Sequence, residues 1–380
     1  MAAWLAAACM VPVACDKPPA PTASTRPAGD SRVSHVPTST RGHLRTLAVL
    51  APNRPTSIAV LPSGKLFFCQ TTPDGRDLVL TIGNREVPEP TALTSSTIAD
   101  AIGDPLINGN IESLTAGHDG RLWFFFRGSV GEQRQKRTVM AVGSYDVFTT
   151  RIRVYADLAR LRAATEFGAS IELADGDVIC GRNLCWIWLR HLDGSALLAI
   201  DLSRLPADGP VELLRPFPIV RYGSETLLMN RREYRLSAAG DGTDDLLLGD
   251  AYTGGLFRVD PLGRASLMSA LIGLPRLLSP AAAMPAPNAG RTLLFAADAD
   301  PIEPKVESRI DAPSIDSAFP AFLIFEPQRR IAAIAHQQLT GRLGLPVYAL
   351  RIEELLPEPG GTFLAFDAAN GELMRVRLHN

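Results

Sequence analysis

The feature that most constrains this chain is a set of short apolar runs, each entered through a glycine. They read Gly64-KLFFC, Gly120-RLWFFF, Gly290-RTLLFAAD and Gly361-TFLAFD, with near relatives at Gly176-DVIC and Gly242-TDDLLLGD. Apolar residues in unbroken succession suit strands covered on both faces, because a half-exposed strand would alternate apolar and polar positions. Few of these residues are β-branched, so any one run alone would also suit a buried helix. Their repetition favours strands. From Gly64 the landmarks are spaced by 56, 56, 66, 48 and 71 residues.

A period of roughly 40 to 60 residues built on short strands predicts an all-β fold, a β-propeller with four strands to each blade. The body from Leu44 to the end, about 337 residues, then holds six blades, with seven as the alternative. Two units agree beyond the landmark. LLLGDAYTGGLFRVD places Asp250 four residues before Gly254 and eight before Arg258, and FLAFDAANGELMRVR places Asp367 likewise before Gly371 and Arg375. In each, a strand ends at an Asp suited to an Asx-turn, and a glycine supplies the hairpin's positive φ. This layout resembles the NHL and gluconolactonase-type propeller repeat. TSIAVLPSGKLFF (Thr56 to Phe68) and IESLTAGHDGRLWFF (Ile111 to Phe125) resemble the inner hairpin of the same families, virginiamycin B lyase included. The chain closes on a strand-like ELMRVRL and the body opens on Thr46 to Leu50. These two are expected to share a blade, because such closure leaves no unpaired edge. Short helical insertions are expected at Ser95 to Ile102 and, behind an Asp cap, at Asp157 to Thr165.

Ahead of the body lies a leader, residues 1–15, reading MAAWLAAACMVPVAC with no charge before Asp16. It is shorter than the roughly 20 apolar residues that span a bilayer and has the length of a secretory signal's apolar core. Pro12-Val13-Ala14-Cys15 resembles a bacterial lipobox, which implies lipidation at Cys15. Two features depart from that pattern: Pro12 stands where an aliphatic residue is usual, and no Lys or Arg precedes the run. The alternatives are an ordinary cleaved signal or a buried N-terminal strand. Residues 16–43 hold five Pro, four Ser and four Thr, with Val33 and Val36 as the only large aliphatics. A segment so poor in apolar surface is expected to be a disordered tether. The expected organisation is thus leader 1–15, tether 16–43 and propeller 44–380, in an extracytoplasmic protein held at a membrane by a lipid anchor, in the periplasm or at the cell surface.

A net charge of −2 and a pI near 6.3 argue against nucleic acid as a partner. Cys180 and Cys185 flank a turn-like Gly181-Arg182-Asn183-Leu184, and an oxidising compartment would permit a disulfide across it. Cys69 is expected to be a buried thiol. No Gly-x-Ser-x-Gly, Walker loop, dinucleotide-binding glycine pattern or HExxH is present, and the six histidines are scattered. No catalytic residue is assigned. Gluconolactonase-like propellers bind a divalent cation in the central channel through one Glu with Asn and Asp partners. That resemblance carries over to Glu112 alone, and the partners match no motif here. Asp241-Gly242-Thr243-Asp244-Asp245 resembles the calcium loop of FG-GAP propellers but lacks a distal Glu, so a tight turn is expected. The stretch from Ala299 to Pro320 carries Asp300, Glu303, Glu307, Asp311 and Asp316; a loop this long on a rigid scaffold is often functional or else disordered, so it is read either as a partner-contact loop or as a disordered segment. Two readings follow. One is a tethered propeller without a cofactor that binds a protein or glycan through its loop face. The other is a metal-dependent lactonase or lyase using Ca2+ or another divalent cation.

Overall fold

The computed structural model describes residues 41–49, 57–72, 75–82, 88–103, 105–131, 136–191, 194–206, 211–217, 220–222, 225–227, 234–239, 242–250, 255–270, 277–286, 290–297, 321–325, 331–335, 339–340, 352–358, 362–367 and 372–379. Five antiparallel sheets of four strands follow one another along the chain. The first joins Ile58–Val60, Leu66–Thr71, Asp77–Ile82 and Pro88–Thr94. The second joins Leu106–Ala116, Leu122–Val130, Arg137–Tyr145 and Ile152–Asp157. The third joins Asp175–Cys180, Leu184–His191, Gly194–Asp201 and Leu214–Phe217. A hairpin, Val220–Tyr222 with Glu225–Leu227, precedes the fourth sheet of Tyr234–Ala238, Leu246–Asp250, Gly255–Val259 and Ala265–Ala270. The fifth joins Leu277–Ala286, Gly290–Ala297, Ala321–Phe325 and Ile331–Ala335.

A closing sheet takes strands from both ends of the body. Ile352–Glu358, Thr362–Asp367 and Glu372–His379 are followed by Arg41–Val49 as fourth strand, with Leu339–Thr340 parallel to it outside. Arg41 stands opposite His379 and Val49 opposite Glu372, the closure expected from the sequence. The fourth strand begins at Arg41, so residues 41–43 belong to the folded body. The first strands of successive sheets lie against one another, and Ile352–Glu358 lies back against Ile58–Val60.

The unbroken apolar runs are strands packed on both sides. In Leu122–Val130, Phe124 and Phe126 pack with Phe67 and Val79 of the first sheet and with Ile98 just beyond it, while Trp123 and Phe125 face the third with Val178, Ile187 and Leu189. Trp186 and Trp188 pack toward Leu246, Leu248 and Phe257 of the fourth. Leu364 and Phe366 of the closing sheet meet Ile58 and Phe68 of the first.

One landmark belongs to a different strand from the rest. Gly64, Gly120, Gly242 and Gly290 lead into or open the second strand of a sheet, but Gly176 lies inside a first strand. The counterpart in the third sheet is Gly181, which restores spacings of 61 and 61 residues in place of 56 and 66. Gly176 has its own reason to be glycine. A Cβ there would stand 2.2 Å from Cζ of Phe125, so the first strand can approach the ring only without one.

Both insertions are helical. Ser95–Ile102 is capped by Thr94, whose hydroxyl and backbone are bonded reciprocally with Thr97, and it ends at Gly103 with φ +90°. Leu158–Ala164 is capped by Asp157. The connections expected to hold Asx-turns after Asp250 and Asp367, residues 251–254 and 368–371, lie outside the described residues. Asx-turns do stand at third-strand ends, at Asp146, Asp201 and Asp260. The amides of Thr149 and Phe148 hold the Asp146 carboxyl below its ordinary range.

Gly176→Ala should lower stability by about 1–3 kcal/mol through overpacking. Adding Phe125→Leu should recover part of that loss, and denaturant unfolding of the single and double variants should show non-additive costs.

Candidate functional site

Each first strand is the free edge of its sheet, so one row of its backbone groups has no partner within the sheet. For the first strands of the second and third sheets, side chains in or beside the preceding sheet supply partners. Along Leu106–Ala116, the Ser95 hydroxyl donates to the Gly109 carbonyl at 2.8 Å. Asp77 Oδ2 accepts from the Ile111 amide at 2.7 Å. The Ser57 hydroxyl accepts from the Leu114 amide at 2.5 Å and donates to its carbonyl at 3.2 Å.

Glu112 belongs to this system. The register of Leu106–Ala116 against Leu122–Val130 shifts between Ile111, opposite Phe126, and Ser113, opposite Phe125. Glu112 is the extra residue of this β-bulge. In a regular strand neighbouring side chains alternate; the bulge re-aims them. Ile111 and Leu114 both pack toward the first sheet, and Glu112 and Ser113 both reach the third. Glu112 Oε2 accepts from the Gly176 amide at 3.0 Å, and Ser113 Oγ accepts from the Val178 amide at 3.1 Å. Those amides are two residues apart, the spacing of a strand's free edge.

The other Glu112 oxygen is ion-paired with Nε of Arg127. The same guanidinium donates to the Ala174 carbonyl and to Asp175, both at 3.3 Å. Burial pushes the Glu112 carboxyl above its ordinary value, and the Arg127 charge and the Gly176 amide work against that rise. Beyond it, Arg190 pairs with Asp177 at 2.8 Å and lies over the Trp188 ring, 4.5 Å from its centroid.

Among the described residues no three His, Cys, Asp or Glu side chains come together in a way that could hold a metal ion. In the loop read as a tight turn, Gly242 has φ +76°. Asp244 Oδ1 accepts from the amides of Asn183 and Leu184, and its Oδ2 accepts from the Asn183 side chain. Asp245 pairs with Arg258. Both carboxylates are thereby committed to protein donors; Asp241 lies outside the described residues. Cys180 and Cys185 face each other across their hairpin, sulfurs 3.1 Å apart and both buried. Burial, with the Cys185 sulfur beside it, pushes the Cys180 thiol up. Cys15, Asp300, Glu303, Glu307, Asp311 and Asp316 lie outside the described residues.

Sequence reasoning singled out Glu112 but not Arg127, Ser113 or Asp175. Arg127 is an ordinary arginine within a strand until the bulge sets Glu112 diagonal to it, and no local pattern marks the bulge.

No family model matches the chain, and no curated protein sequence matches it. Solved structures do. A protein of unknown function from Bacteroides thetaiotaomicron is 9% identical with TM-score 0.52, over 90% of this chain and 77% of that one. A glucose dehydrogenase is 15% identical with TM-score 0.50, over 87% of this chain and 98% of the other. The fold is a β-propeller. Virginiamycin B lyase from Staphylococcus aureus, of the type the sequence resembles, is also among the matches, 11% identical with TM-score 0.46 over 88% of this chain and 99% of that one. At such identities the likeness extends to the propeller fold alone.

Glu112→Ala should cost about 1–3 kcal/mol, because it strands the Gly176 amide and removes a partner of Arg127. Glu112→Gln should cost less, since its amide oxygen can still accept from Gly176. The raised carboxyl also gives a sign. Folded protein holds the proton more tightly than unfolded, so stability from this group falls as pH rises between the ordinary and the raised value. Unfolding measured against pH should show the advantage of wild type over Glu112→Gln shrinking across that window, then levelling.

Proposed function

We propose that this chain is an exported, lipid-anchored propeller that binds a protein or glycan partner and has no metal-dependent reaction of its own. One observation carries the choice between binding and metal chemistry: the Glu112 carboxylate is held by the Arg127 guanidinium and the Gly176 amide. A cation at Glu112 would have to displace a partly buried arginine and free an amide that joins two sheets. Propellers host many unrelated activities, so the names of the structural neighbours add little to either reading. The anchor rests on the order of an apolar leader, Cys15 and a Pro/Ser/Thr-rich tether. On the same reading the acidic stretch from Asp300 to Asp316 contributes to partner contact, and Cys180 and Cys185 are oxidised to a disulfide after export.

Metabolic labelling with a palmitate analogue should mark the wild-type protein and fail on Cys15→Ala; equal labelling of both would refute the anchor. Millimolar calcium or chelator should leave the melting temperature unchanged, whereas a site filled at a hundred times its Kd would add about 2.7 kcal/mol. A calcium shift abolished by Glu112→Gln would favour the metal-dependent lactonase or lyase. Alkylating denatured exported protein before and after reduction should reveal two additional thiols only after reduction, lost together in Cys185→Ser.

A further inference from the structure

Three large apolar side chains stand exposed among the described residues, and two occupy matching turns. Phe148 is 88% exposed, in the turn after the third strand of the second sheet, and Leu262 is 53% exposed in the corresponding turn of the fourth. The same device holds each outward. Asp146 Oδ1 accepts from the amides of Phe148 and Thr149 at 2.9 and 3.0 Å. Asp260 Oδ1 accepts from the amides of Leu262 and Arg264, both at 2.9 Å. Thr150, with φ 55°, and Gly263, with φ 74°, complete the two turns. Backbone fixed in this way keeps the apolar tip from folding back onto the body.

The topology adds a third point. Arg41–Val49 is the fourth strand of the closing sheet, with Arg41 opposite His379 at the end of the third. In the other sheets this is where the third-to-fourth-strand turn sits. A propeller repeats its sheets about one axis, so corresponding turns share a face. Phe148, Leu262 and the point where the N-terminal segment enters the body therefore lie on one face. The third exposed side chain, Leu173 at 71%, ends a short helix between the fourth strand of the second sheet and the first of the third. That connection belongs to the opposite face.

We propose that the third-to-fourth-strand face is the membrane-facing side, with Phe148 and Leu262 seated among the headgroups of the lipid surface. The proposal rests on the Cys15 anchor. About 25 residues separate Cys15 from Arg41, and a chain of that length can reach at most about 85 Å, so an anchor at Cys15 allows this face to meet the bilayer. Exposed aromatic and aliphatic side chains partition into the interface, and two attachments together hold far better than one lipid chain. The opposite face, with the helices Ser95–Ile102 and Leu158–Ala164, is then presented to a partner.

The test uses the full lipidated chain in vesicles of phosphatidylethanolamine and phosphatidylglycerol, part of the lipid brominated. Phe148→Cys, Leu262→Cys and Leu173→Cys each carry a polarity-sensitive fluorophore, attached under native conditions so that the buried cysteines stay unreacted. Fluorophores at positions 148 and 262 should shift to the blue and be quenched by brominated lipid, and the one at 173 should do neither. Equal quenching at 173, or none at 148 and 262, in protein that carries palmitate overturns the orientation. Positions 148 and 262 shielded in cells without lipid quenching would assign the face to a protein partner and likewise overturn it. Protein that carries no palmitate refutes the anchor and the orientation together, a result distinct from the others.

Discussion

The innermost strand of every sheet is an edge, and its backbone groups must be met from outside the sheet. A buried amide left unmet costs as much as several ordinary surface contacts contribute. Along the first strands of the second and third sheets the answer is the same: a polar side chain in or beside the preceding sheet. Ser57, Asp77 and Ser95 serve Leu106–Ala116; Glu112 and Ser113 serve Asp175–Cys180. Apolar packing between the sheets is non-directional and tolerates sliding. These bonds fix the height at which one sheet stands against the next, so a ring of sheets acquires one register.

The same requirement decides what Glu112 is available to do. One inserted residue turns two consecutive side chains, Glu112 and Ser113, toward the same neighbour. Glu112 thus reaches the third sheet with a charge that burial disfavours, and Arg127 compensates it from two residues along the ladder. Arg127 is in turn tied to Ala174 and Asp175 at the threshold of the third sheet. Bulges often re-aim side chains beside active sites; here the re-aimed carboxylate is used to join sheets.

The fold was legible because its signal is local and repeated. LWFFF can be nothing but doubly covered once it recurs in a period, and the second helix announces itself through its Asp157 cap, whereas the N-cap of the first is Thr94 rather than a residue within Thr97 to Asp100. The reading slipped at Gly176, where a glycine before an apolar run was counted as the landmark of its repeat. Only the ring of Phe125 in the neighbouring sheet explains that glycine, and a contact between sheets leaves no trace in spacing. The site was less legible for the same reason. Glu112 was visible as an acid in an inner hairpin, but its partners come from a diagonal neighbour and from the next sheet. Asp244 is the parallel case: its loop has the composition of a cation site, yet its oxygens meet the Asn183 turn of the third sheet.

Closure also decides where the body's first strand stands. The closing sheet borrows its fourth strand from the N-terminal end of the body, and that strand lies near the rim, with only Leu339–Thr340 outside it. Arg41, where that strand begins, therefore stands at the periphery of the ring, away from the central first strands. Had the borrowed strand been a first strand, its end would have stood beside the centre. Joining both ends of the body at the outer edge thus seals the ring and removes an exposed edge.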